Sequence, residues 1–171
     1  MTRLIKDLQQ FNLPFTDIRE AFDLHRAIDS VLLLLNKHLK SRKALLYKEY
    51  GGETMTIVGV ENQIKQVLLN LLKNCGEALT AQGGAIHIQT RRARENVHVV
   101  LSDTGVGISA EHLPHLFEPF FTTKPAVKEV GLGLAVSYGI IKGHGGDIRV
   151  ESILGKGTTF TVVLPGGEHC E

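Results

Sequence analysis

An α+β sandwich in two layers, a mixed and mostly antiparallel sheet covered by helices on one face, is the fold this sequence predicts. Alternating hydrophobic runs come in adjacent pairs, 85–92 with 97–101 and 147–151 with 158–164, as the arms of hairpins do. Two long stretches, 23–40 and 61–80, carry apolar residues at helical spacing. Strands and helices do not alternate strictly, which argues against an all-parallel sheet of βαβ units. With 171 residues, 43% of them hydrophobic, the chain can bury one core of domain size.

Taken in order, residues 2–11 read as the end of a helix, with Leu4, Ile5 and Leu8 on one face. Pro14 stops it, because proline disfavours helix at the preceding residue. So short a helix is unstable alone, so this piece continues another element or packs on a partner. Phe22-Asp23-Leu24 starts a new unit. Asp23 can N-cap a helix to about Lys40, with Ile28, Val31, Leu32, Leu35 and Leu39 inward. Ala44–Tyr50 reads as a strand ended by Gly51-Gly52, and Thr56–Val58 as a short strand. A long helix spans about Glu61–Thr80, before Gly83-Gly84 and the first hairpin. Residues 103–131 are rich in Gly and Pro with little periodicity, and so long a loop inside a domain is usually functional. A helix over Leu132–Lys142, ended by Gly143, precedes the second hairpin, and Pro165-Gly166-Gly167 closes the domain.

Net charge is +1, without the dense basic cluster that nucleic-acid binding needs. Arg91, Arg92 and Arg94 read as decoration at a strand end. Cys75 and Cys170 make neither a disulfide framework nor a metal-ligand spacing, so a reducing, cytoplasmic setting fits. The longest aliphatic run, Val31–Leu35, falls far short of the ~20 residues of a membrane span. No signal peptide opens the chain, and any membrane anchor of a longer protein lies outside it.

Chemistry enters with the helix at 61–80. Gln63, Gln66, Asn70, Lys73, Asn74 and Glu77 fall in one arc, opposite Ile64, Val67, Leu68, Leu71, Leu72, Cys75, Ala78 and Leu79. A solvated helix face gives the same pattern. Asn70 and Asn74, however, stack at i and i+4, and asparagine is a mediocre helix former. An amide oxygen is a neutral, hard ligand suited to Mg²⁺ held mainly by phosphates and water.

Asp103-Thr104-Gly105-Val106-Gly107 follows a hydrophobic strand directly. It can be a plain turn. It can also be a base-reading site, in which Asp103 accepts from an exocyclic amine while Gly105 and Gly107 let the backbone approach the base. A carbonyl in place of the amine forfeits a charge-assisted bond of about 1.5–3 kcal/mol, which favours adenine over guanine. Gly131-Leu132-Gly133-Leu134 opens a helix whose free amides suit a phosphate. No Walker motif is present. Between these segments, Phe117, Phe120 and Phe121 form either a satellite core or a lid that brings Thr123 and Lys124 to phosphates.

In their order, the asparagine-bearing helix segment QVLLNLLKNCGEAL (66–79), DTGVGI (103–108), FEPFFTTK (117–124), GLGLAVS (131–137) and GKGTTFTV (155–162) resemble the catalytic ATP-binding domain of sensor histidine kinases, in the GHKL ATPase and kinase superfamily. The resemblance covers about residues 21–165 and implies a long ATP lid. Residues 1–20 are then the remnant of a dimerisation helix and its linker, and 166–171 a tail. It implies that Asn74 coordinates Mg²⁺, that Asp103 reads the adenine amine with Gly105 and Gly107 beneath the base, and that Thr158 supports that pocket through water. Gly131, Leu132, Gly133 and Leu134 form the lid hinge and phosphate contact, joined by Thr123 and Lys124. Where the superfamily's ATPases carry a water-activating glutamate, this chain has Asn70, which cannot act as a base.

The implied activity is transfer of the γ-phosphate of Mg-ATP to a histidine on a separate dimerisation domain, with a response regulator receiver domain as a further partner. No nucleic acid and no membrane contact by this fragment are expected. None of the 8 histidines sits in a phosphoacceptor context; His144, in an HGG sequence, reads as a helix-terminus residue. Lys128 and Glu129 make the lid more charged than is usual, and Cys75 replaces the usual alanine as a small core residue. A GHKL-type ATPase and a non-catalytic nucleotide-binding module are the alternatives. Micromolar or weaker ATP binding and a monomer in dilute solution are expected.

Overall fold

The computed structural model describes residues 18–121 and 133–167. The helix expected at 2–11, the lid residues Thr123, Lys124, Lys128 and Glu129, the phosphate-contact residues Gly131 and Leu132, and the tail beyond 167 lie outside the described residues.

Asp23 caps the first helix, α1 (Leu24–Ser41), as expected. Its carboxylate accepts from the His25 amide and also from the Met55 amide, both at 3.1 Å, so the cap ties α1 to the chain beyond β2 (Ala44–Tyr50). The anticipated inward stripe Ile28, Val31, Leu32, Leu35 and Leu39 is buried. One element had no sequence signal. Glu20–Asp23 forms a short strand, β1, paired antiparallel with β3 (Thr56–Gly59) as a separate two-stranded ladder.

Helix α2 (Glu61–Ala78) is held at both ends by other elements rather than by its own side chains. At its start, the Val60 amide donates to Nε2 of His144 at 3.0 Å. The other ring nitrogen, Nδ1, donates to the Ile140 carbonyl at 2.8 Å. His144 is thus the helix-terminus residue anticipated, and it also starts α2. At the far end, the Arg42 guanidinium donates to the carbonyls of Gly76, Glu77 and Leu79 at 3.1, 2.7 and 3.2 Å, satisfying the orphan acceptors of the last turn.

The main sheet has five strands in the order β2-β4-β5-β7-β6, with β4 Gly84–Ala93, β5 Asn96–Asp103, β6 Asp147–Ile153 and β7 Gly157–Pro165. Only β2 with β4 runs parallel; the other pairs are antiparallel. Helices α1, α2 and α3 (Gly133–Gly143) pack on one face. That inner face presents Ile86, Ile88, Val97, Val99, Leu101, Ile148, Phe160 and Val162, all buried. The arrangement is the two-layer sandwich expected, with one mixed sheet.

Candidate functional site

The inner face of the sheet is largely apolar, apart from Thr90 of β4, bonded to His25 at 2.7 Å, and one polar row at its end. Register places Ile86, Asp103, Thr158 and Ser152 side by side across β4, β5, β7 and β6. Asp103 and Thr158 are both buried. A buried carboxylate needs donors. The Gly105 amide donates to Oδ1 of Asp103 at 2.8 Å, and the Cys75 thiol and the Thr158 amide also donate to this carboxylate. Burial pushes the Asp103 carboxyl above its ordinary range, and those donors pull it part of the way back. Cys75 is therefore more than the small core residue expected. Burial and the neighbouring Asp103 charge push its thiol well up, which keeps it a donor.

The turn after Asp103 is pressed between two elements. A side chain at Gly105 would collide with the Ala78 carbonyl at the end of α2, and the Val106 amide donates to that same carbonyl at 2.9 Å. Gly107 has φ +71° and would collide with the Ile153 carbonyl. Neither position admits a Cβ, so only glycine lets the turn pack this closely between the end of α2 and the end of β6.

Asn70 and Asn74 lie on the half-buried face of α2, above the packed stripe from Ile64 to Cys75. The Asn70 amide nitrogen donates to the Gly133 carbonyl and to Oγ of Ser137, each at 3.3 Å. This residue thereby fastens the first turn of α3 onto α2, a role invisible in the sequence. Leu134 packs partly against the core from that same turn. Gly133 and Leu134 are thus brought beside the asparagine face.

The phenylalanines of the loop divide. Leu116 is buried, and Phe117 packs on the core with its ring 5.2 Å from that of Tyr138. Phe121 lies 5.7 Å from both His112 and His115. Phe120 is 69% exposed, at φ +67°. The first part of the segment is thus a satellite of the core. The part carrying Thr123 and Lys124 follows the last residue described before α3.

Comparison with known proteins agrees with this architecture. Residues 59–168 match the family model described as histidine kinase-, DNA gyrase B-, and HSP90-like ATPase. The sensor histidine kinase ZraS of Escherichia coli is 35% identical over 165 residues, covering 96% of this chain and 35% of ZraS. The chain therefore spans about a third of that relative's length. The solved catalytic domain of the histidine kinase ThkA superposes with a TM-score of 0.79 at 29% identity, covering 87% of this chain and 96% of that one. A second ThkA structure, in complex with the response regulator protein TrrA, superposes at 0.79 and 28% identity, covering 99% of this chain and 49% of that one. The chain belongs to the histidine kinase-, DNA gyrase B-, and HSP90-like ATPase family, whose members are ATP-binding domains.

Proposed function

We propose that this chain binds Mg-ATP and donates the γ-phosphate to a histidine on a dimerisation domain, within a two-component system that also includes a response regulator receiver domain. The observation that carries the reading is Asp103: a buried carboxylate beside a turn that admits no side chain. Its accepting oxygens suit an exocyclic amine.

The phosphate end follows from α2. Among the described residues, no three His, Cys, Asp or Glu side chains gather as a metal cage. A Mg²⁺ held largely by phosphate and water would not need such a cage. Asn74 would add one neutral oxygen to it. Bound there, Mg²⁺ would supply charge neutralisation for the transfer. Asn70 carries no basic group, and its amide nitrogen is engaged with α3; this supports transfer to a protein acceptor over attack by activated water. Lys124, Thr123, Gly131 and Leu132 are proposed as phosphate contacts, with Gly133 and Leu134 completing the loop. The relatives named above are histidine kinases by description, and ThkA is seen with a response regulator, which supports the response regulator partner. No helix among the described residues is long and apolar enough to cross a membrane, and a cytoplasmic setting is proposed.

The test mixes this chain with labelled ATP and a separately made dimerisation domain carrying a histidine. Acid-labile label on the second protein is expected. Rapid phosphate release without transfer overturns the reading in favour of an ATPase. Asn74→Asp is expected to lose transfer and Asp103→Asn to lose ATP affinity; normal ATP binding by both variants would refute the site assignment.

A further inference from the structure

The row that holds Asp103 and Thr158 ends on β6 at Ser152, directly opposite Thr158 in register. A hydroxyl has one hydrogen to give and two lone pairs to offer, and Ser152 uses all three. Its Oγ lies 2.9 Å from the Gly157 carbonyl, which can only accept, so the Ser152 hydrogen goes there. The Ile108 amide donates to the same oxygen at 2.7 Å. The remaining lone pair faces Oγ1 of Thr158 at 2.8 Å, and Thr158 must be the donor. With its hydrogen spent on Ser152, Thr158, the neighbour of Asp103 in the row, has only lone pairs left to offer.

We propose that Ser152 is a positioning residue for base recognition: it holds the Thr158 hydroxyl as an acceptor, so that Thr158 and Asp103 together favour a base bearing an amine over one bearing a carbonyl or nothing there. The inference rests on the adenine reading of Asp103. Without Ser152, the Thr158 hydroxyl rotates and can donate, and it no longer distinguishes amine from carbonyl. The same serine anchors the residue after Gly107 through the Ile108 amide, so one side chain sets both the turn and the hydroxyl.

The test compares the affinity of the whole chain, with Mg²⁺, for ATP and for purine riboside triphosphate, which lacks only the 6-amino group. The wild-type protein is expected to prefer ATP. Ser152→Ala should lose about threefold to tenfold of that preference, the worth of one hydrogen bond, and Ser152→Thr should keep it. In a Thr158→Val background, adding Ser152→Ala should leave the ratio unchanged. If Ser152→Ala does not fold, Ser152→Cys, with a weaker donor and acceptor, is read on the same ratio and should show the same loss. Equal weakening of both nucleotides would reduce Ser152 to a scaffold residue and overturn the proposal, as would a Ser152 effect that persists without the Thr158 hydroxyl. A wild-type protein indifferent to the amine would overturn the adenine reading itself, a result distinct from either.

Discussion

Asp103, the proposed base-reading residue, is a buried carboxylate and so bears on stability. Its folded pKa lies above the ordinary carboxylate value because burial outweighs its three donors. Between the unfolded and folded values the folded state holds the proton more tightly, so stability falls as pH rises through that window. Urea midpoints taken from about pH 4 to neutrality should show this downward slope in the wild-type protein. Asp103→Asn should flatten it while weakening ATP binding about tenfold or more, the loss of a charge-assisted bond. A slope unchanged by the substitution would mean that other groups set the pH dependence. At this scale the sequence was informative wherever a residue acts through its neighbours in the chain: Asp103 before Gly105, and His144 at a helix end. It was silent on partners that only strand register creates. Ser152 lies far from Asp103 in sequence, and the donation from Cys75 exists only because α2 crosses the end of β5.

Helix α2 is the element that links packing to the site, and neither of its ends is closed by a side chain of its own. Arg42, just past α1, donates to three carbonyls at the C-terminal end, two of which flank the Ala78 carbonyl that receives the Val106 amide. Arg42→Ala should therefore cost about 1–3 kcal/mol, the range for stranding part-buried acceptors, in chemical denaturation. Arg42→Lys should recover only part of that, since an ammonium cannot span three acceptors in a fixed fork. Hydrogen exchange should quicken at Val106 in both variants; unchanged exchange there would separate the helix end from the turn. Helices α1 and α2 were legible because apolar spacing and the Asp23 cap are local signals. The four-residue β1 was not, being too short to show a period, and Arg42 gave no hint that its target was another helix.

For the whole molecule, the hairpins were legible and the sheet order was not. The parallel contact of β2 with β4 is made across the length of α2, a pairing no local pattern encodes. It leaves β2 at an edge, with Leu45 61%, Leu46 40% and Tyr47 51% exposed, while α1 exposes Leu33 at 78% and Leu34 at 76%. Open apolar edges invite association. Leu33→Glu with Leu34→Lys should leave stability within about 0.5 kcal/mol, as surface changes do, and should lower any concentration-dependent self-association in sedimentation. A marked loss of stability would show that these leucines pack more than their exposure suggests. The position of β7 has a consequence for synthesis. It is the last described strand to be made, yet it lies inside the sheet between β5 and β6. Folding on the ribosome proceeds from the N-terminus, so a nascent chain that has not yet emerged through Thr158 leaves β5 with an open edge and Asp103 without its neighbour in the row. On the proposed function, a nascent chain lacking β7 has an incomplete nucleotide site, because Asp103 then has no partner row on that side.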